Sequence, residues 1–430
     1  MNTPVIEIRI WGQRVGAVAP DPRLGCYVFA YDPAWRRSGI DLAPLTMPVG
    51  DPRPSFAFPE LSEASYRRLP GLLADALPDD FGNALIDAWM SARGVERRAV
   101  TTLDRLAYMG RRGMGALEFK PARGAHRESA EPLAMKSLVE AARQVIHADL
   151  SGDVQAQAAL ANIIRVGTSA GGARAKAVVA WNPLSKEIRS GQFDAAPGFE
   201  HWLLKFDGVG HDAELGSSAD YGRIEYAYHL MASAAGIRMS PCRLLEESGR
   251  AHFMTRRFDR DVVDGATTVR HHVQTLCAMS HLDYKQRATH AYAQLFMTVA
   301  RLRLGDEALG QAFRRMAFNV LAKNCDDHPK NFAFRLKQGG NWELAPAYDL
   351  THAHNPRGQW TYQHLLSVNG KFSGITRSDL LVEADRFGVR RPLDALADVR
   401  AALDAWPEFA RQAGLTEQSA AAVRSDFEPL

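Results

Sequence analysis

The chain has 430 residues, 46% hydrophobic and 23% charged, with a formal net charge of +3 and a pI near 8.6. At about 150 residues per domain, that length allows roughly three structural units, and the composition excludes a disordered tail, a collagen-like fibre and a coiled-coil rod. So small a net charge is no argument for nucleic acid without clustering on one face, and no apolar run approaches the roughly 18 residues of a membrane span. The first residues alternate apolar and polar side chains and lack the layout of an export signal, so a cytoplasmic location without membrane contact is expected. Four scattered cysteines, none in a CxxC pair, agree with free buried thiols. Only ten of the 52 basic residues are lysine, which reads as lysine kept where a compact point charge matters.

Residues 5–16 read as two short strands around a turn at Gly12-Gln13-Arg14, and 26–31 as another strand. Residues 48–58 are proline-punctuated and predict a loop. From 61 to 98 the chain reads mostly helical: Leu69, Leu72, Leu73, Ala76 and Leu77 recur at three and four, as do Leu85, Ile86, Trp89 and Met90. Gly94 is the expected stop. The polar stretch 123–131 reads as a linker, followed by helical patterns over 132–147 and 153–164. Next come a glycine-rich turn at 167–172, apolar residues at 177–181, a strand at 201–206 and a flexible stretch at 207–222. A helix at 223–235 precedes a hairpin at 242–258 that turns at Glu247-Ser248-Gly249. The remainder, 275–426, is predominantly helical with one hairpin. Sheet followed by helices predicts a two-lobed α/β (α+β) domain after residue 150, divided as 1–150, 151–260 and 261–430.

The chemistry concentrates in 319–350. Phe313, Met316, Ala317, Val320 and Leu321 form a helical face that ends near Lys323, and Pro329 closes the polar run Asn324-Cys325-Asp326-Asp327-His328-Pro329-Lys330-Asn331 to helix. A strand pair around Gln338-Gly339-Gly340-Asn341 leads to Tyr348-Asp349. Asp and Asn separated by four residues, then a hairpin and another Asp, is the layout of a protein-kinase catalytic loop. One carboxylate must meet the acceptor hydroxyl, while an amide oxygen and a second carboxylate hold Mg²⁺ against the phosphates. The bland reading of the segment is an acidic surface loop. Upstream, Lys205 stands inside the apolar run Trp202-Leu203-Leu204-Lys205-Phe206, where its charge is costly unless paired. Glu225 opens the helix that follows, and a strand lysine with a helix glutamate is the ion pair that orients ATP phosphates. The turn Gly167-Thr168-Ser169-Ala170-Gly171-Gly172-Ala173-Arg174-Ala175-Lys176 stands where a phosphate-covering loop belongs, although it matches neither the Walker nor the dinucleotide pattern. Gly110, Gly113 and Gly115 read as structural. His271-His272 and the pair His352 and His354 lack the third ligand of zinc spacing and read as packed or exposed histidines.

Taken together these residues resemble the HipA family of bacterial toxin kinases. The resemblance rests on Phe58-Pro59-Glu60-Leu61, Asp75-Ala76-Leu77-Pro78-Asp79, Gly113-Met114-Gly115-Ala116-Leu117, the run from Ser169 to Lys176, Leu204-Lys205-Phe206, Arg257-Phe258-Asp259-Arg260, Asn324 to Asn331 and Tyr348-Asp349. It implies a kinase-like two-lobed domain behind a smaller N-terminal α/β domain, and a Ser/Thr-protein kinase using ATP and Mg²⁺. Asp326 matches the catalytic carboxylate ahead of Asp327, and Asn331 and Asp349 match the metal ligands. The resemblance places ATP against Ser169, Gly171, Gly172, Ala173, Lys176, Lys205, Glu225, His328, Lys330, Asn331, Tyr348 and Asp349. Thr255, Arg256, Arg257 and Phe258 match the segment between lobes that holds adenine, although Arg256 stands where the family commonly has Glu. Ser169 matches a regulatory autophosphorylation site, with Thr168 the second choice. The implied partners are a small helix-turn-helix HipB-like antitoxin dimer, operator DNA through that antitoxin, and a protein substrate such as an aminoacyl-tRNA synthetase or other translation factor. A nucleotide-binding regulator without catalysis and a small-molecule kinase are the alternatives.

Overall fold

The computed structural model describes residues 3–78, 80–91, 93–123, 138–139, 175–192, 194–208, 220–247, 249–265 and 267–429. Chain contacts divide the protein into two units. The first comprises Met1–Gly210, Arg256–Gln274 and Arg335–Asn341, and the second His211–Thr255, Thr275–Phe334 and Trp342–Leu430.

In the first unit, an antiparallel sheet orders Cys26–Tyr31, Gln13–Asp21, Ile6–Ile10 and Glu118–Lys120. Alternation explains the first strand, since Ile6, Ile8 and Ile10 are wholly buried while Glu7 and Arg9 pair on the other face at 2.9 Å. Its hairpin turns on Trp11 (φ 48) and Gly12 (φ 78), the two positive φ values of a type I′ turn. Trp11 tolerates that conformation because its indole N–H donates to the Arg270 carbonyl at 2.7 Å. The expected helical run over 61–98 is corrected to three helices, Glu63–Tyr66, Gly71–Ala74 and Asp80–Ser91, and a 3₁₀ turn, Arg97–Ala99. Pro70 and Pro78 interrupt it, since proline has no N–H for the helical ladder and disfavours helix in the residue before it. The helix Thr102–Met109 was not anticipated, although Thr101 and Asp104 form a capping box at its start.

A second sheet in this unit pairs Lys176–Trp181 antiparallel with both Ile188–Ser190 and Glu200–Lys205. Every residue of Lys176–Trp181 is buried, which accounts for its continuous apolar run. Helical patterns expected over 132–147 and 153–164 and the glycine turn at 167–172 lie outside the described residues, apart from Leu138 and Val139.

In the second unit, the helix Tyr221–Ala234 starts two residues before the expected position. The hairpin Cys242–Glu247 with Arg250–Arg256 follows, in register from Cys242–Thr255 to Glu247–Arg250. Gly222 lies against it: a Cβ there would stand 2.0 Å from the Ala251 carbonyl oxygen. Gly222→Ala is therefore expected to destabilise the protein by about 1–3 kcal/mol through overpacking, read as a lowered urea midpoint at unchanged slope; a wild-type midpoint would contradict the close approach. The core is helical, with Gly305–Leu321 packed on Tyr292–Arg301 and Pro392–Asp404, and Tyr221–Ala234 packed on Pro392–Asp404 and Trp406–Gln412. Tyr228 makes edge contacts with Phe318, Trp406 and Phe427, and its hydroxyl donates to the Ala322 carbonyl at 2.5 Å. One helical turn beyond Glu225, the same helix is thus fastened to the residue where the Gly305–Leu321 helix ends. No helix among the described residues is long and apolar enough to cross a membrane.

Candidate active site

The expected apolar face of Gly305–Leu321 is buried at Phe313, Met316, Ala317, Val320 and Leu321. Lys323, with φ 53, turns the chain out of the helix. Backbone bonds then stitch the loop to the segment beyond Asp349: Cys325 donates to the Ala353 carbonyl at 2.9 Å, and Ala353 donates to Lys323 at 3.1 Å. These two short stretches of chain carry Asp326 and Asp349.

The adjacent aspartates divide sharply. Asp327 is fully buried and receives the Tyr292 hydroxyl at 2.8 Å, His364 Nδ1 at 2.9 Å and the Leu365 amide at 2.7 Å. Asn319 donates to the Tyr292 hydroxyl, and Asn324 donates to Asn319 Oδ1, each at 2.9 Å. All the acceptor capacity of Asp327 is therefore directed inward. The Asp326 side chain is 48% exposed, with His328 Nε2 at 3.8 Å. Of the two carboxylates, only that of Asp326 faces solvent, where an acceptor hydroxyl would arrive.

Two further loop residues are set by short bonds. The Asn331 amide nitrogen donates to the Asp326 carbonyl at 2.7 Å, which directs its Oδ1 away from that bond. The Tyr348 hydroxyl donates to the Lys330 carbonyl at 2.6 Å, so the residue before Asp349 holds the 3₁₀ turn Pro329–Asn331. Asp349 itself has φ 53, a left-handed conformation uncommon outside glycine and found at functional sites. Ahead of it, Ala347 donates to Arg238 at 2.8 Å. The wholly buried Arg315 donates to the Ala345 carbonyl at 2.7 Å, its guanidinium brought down to about 9 by burial. An amide oxygen and one carboxylate suit Mg²⁺, a hard cation that usually takes one or two protein carboxylates and completes its shell with water and phosphate oxygens. Among the described residues no group of three or more His, Cys, Asp or Glu forms a metal cage. His271 and His272 bond to Asp261 and the Leu42 carbonyl, and His352 and His354 both face Asp426.

Sequence reasoning missed the ring of groups behind the loop. His364 titrates high: burial opposes its charge, but the Asp327 carboxylate and its hydrogen bond raise it to about 10 from 6.5. A value raised on folding means that this pair's stabilisation is complete below pH 6.5 and lost as pH rises towards about 10. Thermal midpoints measured from pH 7 to 11 should fall across that window. A midpoint flat to pH 11 would contradict a charged His364. Nearer the surface, the Tyr284 ring lies 4.5 Å from Lys330 Nζ and 5.6 Å from the His328 ring.

In the first unit, Lys176 and Lys205 stand directly opposite each other at one end of the strand pair, on one face. Glu225, in the second unit, is buried in the first turns of Tyr221–Ala234. Ser169, Gly171, Gly172, Ala173 and Thr168 lie outside the described residues. In the expected adenine segment, Arg257 N–H donates to the His201 carbonyl at 2.9 Å and the Phe258 carbonyl accepts from Arg335 at 2.5 Å. The Arg257 side chain is buried with Arg260 on Asp259, at 2.7 and 2.8 Å. Burial alone would raise Asp259, but the two guanidiniums hold it well below the usual carboxylate range. The Gly115 amide also donates to Asp259 at 2.7 Å, and the Gly113 and Gly115 carbonyls accept from these arginines. The two motifs, 144 residues apart, are one buried polar cluster. Arg256 lies outward, 3.6 Å from Glu200.

Comparison with known proteins adds the family. Residues 6–120 match the HipA N-terminal domain and residues 168–426 the HipA-like C-terminal domain. None of the curated proteins matches this sequence. The structure is similar to a chain of the Shewanella oneidensis MR-1 toxin–antitoxin complex of HipA, HipB and operator DNA, with 18% identity, 98% of this chain and 94% of that chain covered, and a TM-score of 0.68. The Helicobacter pylori proinflammatory kinase CtkA matches at 11% identity over 54% of this chain and 90% of its own, with a TM-score of 0.33. The mixed α/β architecture expected from the sequence is therefore of the HipA type. With both family models in order along it and the N-terminal glycine motif locked onto Arg257-Phe258-Asp259-Arg260, this chain belongs to the HipA family.

Proposed function

We propose that this chain is an ATP-dependent Ser/Thr-protein kinase of the toxin–antitoxin class. The observation that carries the reading is the division of labour between the paired aspartates: Asp327 spent wholly on the fold, Asp326 left outward beside Asn331. Asp326 accepts the hydrogen bond of the acceptor hydroxyl and takes its proton as the oxygen attacks the γ-phosphorus and the bond to the β-phosphate oxygen breaks. Asn331 Oδ1 and Asp349 are the residues that would hold Mg²⁺, which neutralises phosphate charge when bound. Lys176 and Lys205 supply fixed positive charge for the phosphates, Glu225 is the partner assigned to Lys205, and His328, Lys330, Tyr348 and the 255–258 segment complete the nucleotide contacts. Ser169, with Thr168 as second choice, is the proposed autophosphorylation site, where a phosphate adds about −1.5 to −2 charge to a loop meant to cover ATP.

The Shewanella neighbour's complex with HipB and operator DNA supports a corresponding assembly here: a small helix-turn-helix antitoxin dimer, operator DNA reached through it, and a cytoplasmic protein target such as a translation factor. The test is incubation of the purified chain with Mg²⁺ and γ-labelled ATP, followed by phosphosite mapping of wild type and Ser169→Ala. Label at Ser169, lost in the variant, is expected. Absence of label from the chain and from every cell-extract protein would leave nucleotide binding without catalysis as the better reading.

A further inference from the structure

We propose that the arginine-lined cavity in the first unit, formed wholly by residues 67–105, binds a small polyanion carrying phosphate or carboxylate groups. The inference does not depend on the kinase reading. The cavity is an open cleft of about 920 Å³, within the size range of clefts that take metabolite-sized ligands. Arg67, Arg97, Arg98 and Arg105 line it together with Asp87 and Glu96.

Among the described residues, Asp87 is shared by two arginines, receiving Arg105 Nη2 at 2.5 Å on one oxygen and lying 3.0 Å from Arg97 Nε on the other. Glu96 pairs with Arg98 at 2.6 Å. Arg105 is the fixed element: its side chain is 7% exposed and also donates to Asn83 Oδ1 at 3.1 Å. Arg97 and Arg98 are the exposed ones, with side chains 82% and 86% accessible on the 3₁₀ turn at the rim. Arg67, itself left-handed at φ 48, stands at the wall directly after the helix Glu63–Tyr66. One buried guanidinium at the base and long guanidinium forks at the rim make a receptor for an anion with several oxygens, because each fork can donate two parallel bonds to phosphate or carboxylate. Asp87 and Glu96 keep the rim forks extended until a ligand with more oxygens displaces them.

The test is isothermal titration of the full chain with inorganic pyrophosphate and, separately, citrate, in EDTA so that Mg²⁺ contributes nothing. Saturable binding is expected, weakened roughly 10- to 100-fold by Arg97→Ala with Arg98→Ala, since charge-assisted hydrogen bonds are lost. Both side chains are exposed, so the thermal midpoint should not move. A control, Arg14→Ala with Arg23→Ala, removes the same charge from exposed arginines of the same unit, 52% and 93% exposed, and should leave binding intact. The tighter of the two probes assigns phosphate or carboxylate chemistry. No saturable binding up to about 10 mM, equal binding by the rim variant, or an equal loss in the control would each overturn the site.

Discussion

Asp326→Asn is expected to keep the thermal midpoint and nucleotide binding of the wild type while losing phosphoryl transfer by about 10²–10⁴-fold, the range associated with removing a positioned general base. The replacement is isosteric and half-exposed, so folding should be nearly indifferent to it. The Asp326 carbonyl that orients Asn331 is a backbone group and survives the change. Labelled-phosphate transfer alongside an ATP titration separates the two effects. Wild-type transfer by the variant would sink the assignment of Asp326, whereas a lost fold would mean that its side chain serves structure.

Asp327→Ala should behave in the opposite way. Its removal takes away the carboxylate that holds the buried His364 charged, and leaves the Tyr292 hydroxyl and the Leu365 amide without the acceptor that satisfies them. Breaking a buried charge pair on one side costs about 3–5 kcal/mol, an effect that chemical denaturation will resolve. Residual activity per folded molecule should exceed that of Asp326→Asn, because the reacting groups stay in place. A stable Asp327→Ala protein would show that the inward carboxylate contributes little to the loop. Measured together, the two variants ask of adjacent residues which one is chemistry and which one is scaffold.

That contrast also marks how far the candidate site was legible in one dimension. Asp326, Asn331 and Asp349 were readable because their spacing is local, and a catalytic loop needs its groups a few residues apart on one chain segment. The choice between Asp326 and Asp327 had only that spacing behind it. Its physical basis, the inward bonds to Tyr292 and His364, comes from residues 35 and 37 positions away with no periodic or motif signal. Arg315 was hidden for the same reason: within a helix it reads as an ordinary polar position, yet it is buried against the Ala345 carbonyl. The helix Thr102–Met109 was overlooked although its capping box could have been read.

The sequence by itself determined the local elements and their chemistry. The alternation of Ile6, Ile8 and Ile10 specifies a half-buried strand, the apolar run at 177–181 a buried one, and the three-and-four recurrence of Phe313, Met316, Ala317, Val320 and Leu321 the helix that delivers the loop. Those signals survive in one dimension because burial acts on residues two or three to four apart. Only the tertiary structure decided that Arg257-Phe258-Asp259-Arg260 closes on Gly113 and Gly115, so that the side chains of Arg257, Asp259 and Arg260 form a buried ion cluster with those two glycines. It likewise set Lys176 opposite Lys205 and gathered four arginines around one cavity. Charge pairing between distant segments depends on which backbones meet, and strand register and helix packing settle that only once the chain has folded.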